Sequence, residues 1–152
     1  MVLPWRAKRL IAEVDQIFER AYAQQDLQVQ SDLAKYLVIR VSGLVEQVVA
    51  EVVDAHVSAQ ASPTVLSHVL WRLGTFQNPN IERILQLVGS FDRRWRERLE
   101  ATATAAERGA LGSVTAQRNR VAHGQDSTIS LGQISAYYGE IKSLMTKVAH
   151  QF

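Results

Sequence analysis

Leu33-Ala34-Lys35-Tyr36-Leu37-Val38-Ile39-Arg40-Val41-Ser42-Gly43-Leu44-Val45-Glu46-Gln47-Val48-Val49-Ala50-Glu51-Val52-Val53 is the most apolar run of the chain, and whether it is strand or helix decides the fold. Its valines would suit a strand, because branching at Cβ restricts the rotamers a helix requires. Length argues for helix: the run has no proline, and Gly43 is its only weak point. The reading is one long helix, capped near Ser31 or Asp32 and running to about Ala59. With almost no wet face, it must be a central helix touched from several sides. Glu46 stands out, since it shares a face with Ile39, Ser42, Gly43, Ala50 and Val53. An acid there needs a cationic or hydrogen-bonding partner.

The flanking segments read as further helices. From Pro4 to about Ala23, Trp5, Leu10, Ile11, Val14, Ile17, Phe18 and Ala21 recur at three- and four-residue spacing, with Gln24 to Gln30 as the turn that follows. Ser62-Pro63 is an N-cap with proline in the first helical position, and Gly74 ends that short helix. Asn78-Pro79 repeats the device, with Gly89 as the stop. Ser90 to about Ala101 reads as one helix with Phe91, Trp95 and Leu99 on a face and Arg93, Arg94, Arg96 and Arg98 around it. A long helix then starts between Thr104 and Arg108, where Gly109 and Gly112 offer room for another helix to approach. Ser130 and Gln133 form a capping box for the last helix, which carries Leu131, Ile134, Tyr137, Tyr138, Ile141, Leu144, Met145 and Val148. No strand pair and no internal repeat is found. The predicted fold is all-α, an antiparallel bundle of about four long helices with short inserted ones.

The chain of 152 residues is sized for one domain, 1–152. Cysteine is absent, which excludes disulfides, thiolate metal sites and cysteine nucleophiles. No leader pattern and no segment long enough to cross a bilayer is read, so a soluble cytoplasmic protein is expected. The net charge of +2 permits an anionic partner without demanding one.

Against that background Arg118-Asn119-Arg120-Val121-Ala122-His123-Gly124 is anomalous. Leu111, Val114, Arg118 and Val121 fall at i, i+3, i+7 and i+10, which puts an arginine in the apolar stripe. Asn119 and His123 share a face at i, i+4, and Gly124 suits the left-handed residue that closes a helix. His123 sits where the negative end of the helix dipole favours positive charge. The other histidines are read as bland: His56 and His68 as surface or half-buried, His150 as frayed near the terminus. None forms a metal-spacing pair, there is no phosphate-binding glycine loop or nucleophile elbow, and neither metal nor cofactor is expected. Glycine-closed histidine caps are common, so the spacing alone leaves open that Arg118 pairs internally and His123 merely caps.

The stretch resembles the signature of HEPN domains, and specifically the RiboL-PSP-type branch: Arg followed by Asn, then His after four intervening residues, with Ala122-His123-Gly124 matching the branch's AHG form. The apolar helix with Glu46, and the Ser130-capped helix with Tyr137-Tyr138, are similar in order and character. The resemblance implies a metal-independent endoribonuclease that works as a homodimer with one composite cleft. It implies that Arg118 holds the scissile phosphate, that His123 moves a proton at the 2′-hydroxyl or the 5′-oxygen, that Asn119 orients the imidazole or binds a phosphate oxygen, and that the product is a 2′,3′-cyclic phosphate. Such a protein would act on RNA as a toxin or phage-defence effector, partnered by an antitoxin or a larger defence subunit. The alternative is a non-catalytic HEPN bundle that binds RNA, a nucleotide or a partner protein. From the residues themselves, Glu46 is the candidate partner that sets the direction of Arg118. Arg120, Arg94 and Arg98 are candidate RNA contacts, the last two only if their helix packs near Arg118.

Overall fold

The computed structural model describes residues 1–152 and is built of helices joined by short turns. The order is α1 (Trp5–Ala23), α2 (Leu27–Ser58), α3 (Pro63–Leu73), α4 (Ile81–Phe91), α5 (Arg93–Thr102), α6 (Ala105–Ala122) and α7 (Leu131–Ala149). The long helices α1, α2, α6 and α7 form the bundle, with α2 at its centre in contact with α1, α3, α6 and α7. Leu37, Val38, Val41, Val45, Val48, Val49, Val52 and Val53 of α2 are all buried, whereas Tyr36 and Ile39 of the same run are exposed, so α2 keeps an open face that its composition alone does not predict. No helix is long and apolar enough to cross a membrane.

Four boundaries differ from the sequence reading, each for a local reason. Helix α2 begins at Leu27, because the Asp26 side chain accepts from the N–H groups of Gln28 and Val29; the cap is therefore neither Ser31 nor Asp32. Helix α4 is capped by Asn80, whose side chain accepts from Arg83 N–H, and not by Asn78. Gly89 lies inside α4, where a Cβ would come within 3.0–3.2 Å of the Arg96 side chain, so this glycine admits a close neighbour instead of stopping the helix. Asp92 divides the presumed Ser90–Ala101 helix, ending α4 and capping α5 by accepting from Arg94 N–H at 2.7 Å. The same side chain pairs with the Arg94 guanidinium at 3.1 Å, and that hydrogen bond holds the Asp92 carboxyl below its ordinary range. Gly109 and Gly112 face open space, so no helix approaches there.

The two ends of the bundle are tied in different ways. Phe18 of α1 stacks on Tyr138 of α7 at 4.8 Å, and the Tyr138 hydroxyl donates to Ile11 O at 3.1 Å. Burial, followed by the nearby Asp15 carboxylate, pushes that phenol well above its usual range. At the other end Phe152 enters a cluster with His56, Phe91 and Trp95, at ring separations of 5.2–5.3 Å from each. The chain end is thus anchored, and His150 is not frayed: its N–H donates to Thr146 O at 3.1 Å.

The deepest charge is Glu107, only 2% exposed. It completes a capping box with Thr104 at the start of α6, and also accepts from Ser143 at 2.6 Å and Lys147 at 2.8 Å on α7. Burial raises its pKa, but the hydrogen bonds from Lys147, Ser143 and Thr104 N–H outweigh this and leave it lowered. A lowered carboxyl stabilises the fold above the unfolded-state value of about 4.3 and loses that contribution as pH falls through the native value. Lys147→Ala should therefore cost about 3 kcal/mol near neutral pH by stranding a buried carboxylate. It should also flatten the acid limb of stability; chemical denaturation between pH 3 and 7 measures both.

Candidate active site at the end of α6

Helix α6 buries Ala110, Leu111 and Val114 against the bundle, and its stripe continues to Arg118 where the core runs out. Arg118 is half-buried, yet none of the ion pairs in the molecule includes it. A half-buried guanidinium without a carboxylate is short of an anion. One turn on, His123 is the C-cap, its N–H donating to Asn119 O at 3.1 Å, and its imidazole is exposed. Gly124 follows with φ +66, in the left-handed conformation expected of it.

The loop after Gly124 is folded back onto the helix. Arg120 donates to Asp126 O from Nε at 3.1 Å and from Nη2 at 2.9 Å, which commits this guanidinium to bracing the loop. Buried Ser127 donates to Gln117 Oε1 at 2.8 Å, and Ile129 is buried beside it. The loop thus fixes the exit from α6 and, with it, the place of His123.

Asn119 is held by a residue the sequence reading treated only as a cap. Its Oδ1 accepts from Asn78 Nδ2 at 3.0 Å and, at 3.5 Å, from Arg118 Nη1. Asn78 N–H in turn donates to a carboxylate oxygen of Glu46. Glu46 therefore does not pair with Arg118 directly; it is linked to it through Asn78 and Asn119, because the α3–α4 loop occupies the space between α2 and the end of α6. Arg83 holds that loop by donating to Gln77 O at 2.6 Å and Thr75 O at 3.3 Å. Asn78 itself is under stress. It has φ +49, the only positive φ outside glycine, it precedes Pro79, and its Oδ1 is buried without a partner. Such a backbone and such an oxygen each cost on the order of 1–3 kcal/mol.

Arg94 and Arg98 lie elsewhere. Arg98 bonds to Gln151 Oε1 at 3.2 Å beyond the C-terminal end of α7, whereas the His123–Gly124 turn leads into the opposite end of that helix. A helix of this length separates its ends by roughly 28 Å, so α5 does not join Arg118. No group of three or more His, Asp or Glu side chains is gathered in a geometry that would hold a metal ion. Two asparagines flank Pro79, and nothing in the local sequence distinguishes Asn80, which caps α4, from Asn78, which turns inward to Asn119.

The structure is an all-helical bundle whose penultimate helix ends in the Arg118–His123 stretch. The model of the RiboL-PSP-HEPN family matches residues 3–152, and the chain belongs to that family. Neither the curated proteins nor the solved structures contain a match to it. At the Gly124 turn, Gly124→Ala should cost about 1–2 kcal/mol, since an L-residue resists the left-handed conformation. Thermal unfolding together with amide exchange at His123 and Gln125 would register the loss.

Proposed function

We propose that this protein is an endoribonuclease in which Arg118, Asn119 and His123 of two copies form one site across a two-fold axis. The observation that carries the reading is the half-buried Arg118 without an ion-pair partner, followed at the same helix end by an exposed histidine, in a chain of the HEPN family. A helix turns about 100° per residue, so Arg118 and His123 project about 140° apart and one copy does not converge both on a single phosphate. Pairing two copies across a symmetry axis supplies two bases and two phosphate ligands.

In that site Arg118 binds the scissile phosphate through its planar fork, a geometry lysine lacks. One His123 takes the proton from the ribose 2′-hydroxyl as its oxygen bonds to phosphorus, and the other protonates the 5′-oxygen as the P–O5′ bond breaks. The products are a 2′,3′-cyclic phosphate and a 5′-hydroxyl, so the nucleophile comes from the RNA itself. Asn119 contributes an amide donor to the phosphate. A protein that cuts RNA must be restrained in the cell that makes it, which suits a toxin or defence effector held by an inhibitory partner.

Purified protein should cut single-stranded RNA in the presence of EDTA. His123→Ala should lower the rate by about 100-fold or more with the fold and dimer retained, and Arg118→Lys should lower it strongly through loss of the fork. RNA end analysis should find 2′,3′-cyclic phosphates. Undiminished cutting by His123→Ala would sink the proposal, while a folded wild type that binds RNA without cutting would favour a non-catalytic binding bundle.

A further inference from the structure

We infer that Asn78, in the α3–α4 loop, is a positioning residue that turns Asn119 into a hydrogen-bond donor toward the anion held by Arg118. This rests on the reading of Arg118 and Asn119 as phosphate ligands. It begins with the chemistry of the contacts. A guanidinium only donates, so the Asn119 atom facing Arg118 Nη1 at 3.5 Å is the oxygen. That same oxygen faces the Asn78 amide at 3.0 Å, so Asn78 must present its Nδ2 there. With Oδ1 held by two donors, the NH2 group of Asn119 is directed away from both, on an exposed residue. An N–H donor group then stands next to an unpaired guanidinium, a combination suited to phosphate oxygens.

The arrangement imposes a disadvantage on Asn78 that folding alone does not explain. Donating through Nδ2 leaves its own Oδ1 buried and unpartnered, and the residue is held at φ +49 immediately before proline. Its backbone N–H is tied to Glu46, and its loop is tied to Arg83. These anchors aim the side chain at Asn119 and nowhere else. Glycine at this position would adopt the backbone more readily and leave no orphaned oxygen.

The test is a thermodynamic cycle on the full chain, with Asn78→Gly, Asn78→Asp, Asn119→Ala and the double variant Asn78→Gly/Asn119→Ala. Two readouts are taken: affinity for a 2′-O-methyl oligoribonucleotide, which has no free 2′-hydroxyl to react, and kcat/KM for cleavage of the unmodified RNA. Asn78→Gly should be at least as thermally stable as wild type yet lose about tenfold in affinity and in kcat/KM, the order of one charge-assisted hydrogen bond. Its Asn119 side-chain amide resonances should shift. Asn78→Asp, nearly the same shape, should be no better than glycine, because a carboxylate opposes the Asn119 oxygen. The double variant should lose no more than Asn119→Ala alone. Wild-type binding and cutting by Asn78→Gly, losses that multiply in the double variant, or a mild effect of Asn78→Asp beside a severe one of Asn78→Gly would each overturn the proposal. If the wild type binds the oligonucleotide but cuts no RNA, the nuclease reading fails while the affinity cycle still decides the role of Asn78. If it neither binds nor cuts, the phosphate role and this proposal fall together.

Discussion

The broad apolar face of helix α2 has to be covered, and the rest of the molecule follows from that constraint. Its buried positions form one broad apolar face, with Tyr36, Ile39 and Gln47 on the exposed side, and such a face is stable only when other helices cover it. Each valine or leucine enclosed is worth roughly 1.5–3 kcal/mol, so the partners α1, α6 and α7 are held on it by the largest favourable term available. Packing α6 on α2 also places the end of α6 at the level of Glu46, midway along α2. The candidate site is therefore located by the apolar core, although none of its own groups belongs to that core.

The buried Glu107 and the half-buried Glu46 are accommodated in opposite ways. Glu107 accepts from a lysine, a hydroxyl and a main-chain N–H, and it joins α6 to α7 as a fully satisfied group. Glu46 is met by the main-chain N–H of Asn78, a residue with a left-handed backbone and an unpartnered oxygen. The first arrangement is what a stable bundle end requires. The second breaks local rules beside an unpaired arginine, and natural proteins tend to tolerate such violations at sites of function.

Much of the fold was readable because its signals are local. Three- and four-residue periodicity marks α1 and α7, the Ser130–Gln133 box marks the start of α7, and Gly124 has the positive φ its place after a helix calls for. Errors arose where two equivalent signals compete within a few residues. Asp26 outcompeted Ser31 and Asp32 as a cap, Asn80 outcompeted Asn78, and Asp92 split a run whose periodicity reads as continuous. A glycine that makes room for a neighbour's side chain, as Gly89 does for Arg96, looks in one dimension like a glycine that ends a helix.

By itself the sequence determined the helical class, the central place of α2 and the grouping of Arg118, Asn119 and His123, since periodicity and helical spacing act over a few residues. Only the tertiary structure decided what stands across from those groups. It set Asn78 between Glu46 and Asn119, gave Arg120 to the loop after His123, placed Arg94 and Arg98 toward the far end, and left Arg118 without a carboxylate. Apart from the Arg120 brace, which is local to the turn, these outcomes depend on contacts between residues 32 to 53 positions apart, and such contacts are selected by how the helices pack around α2, not by any pattern within one segment.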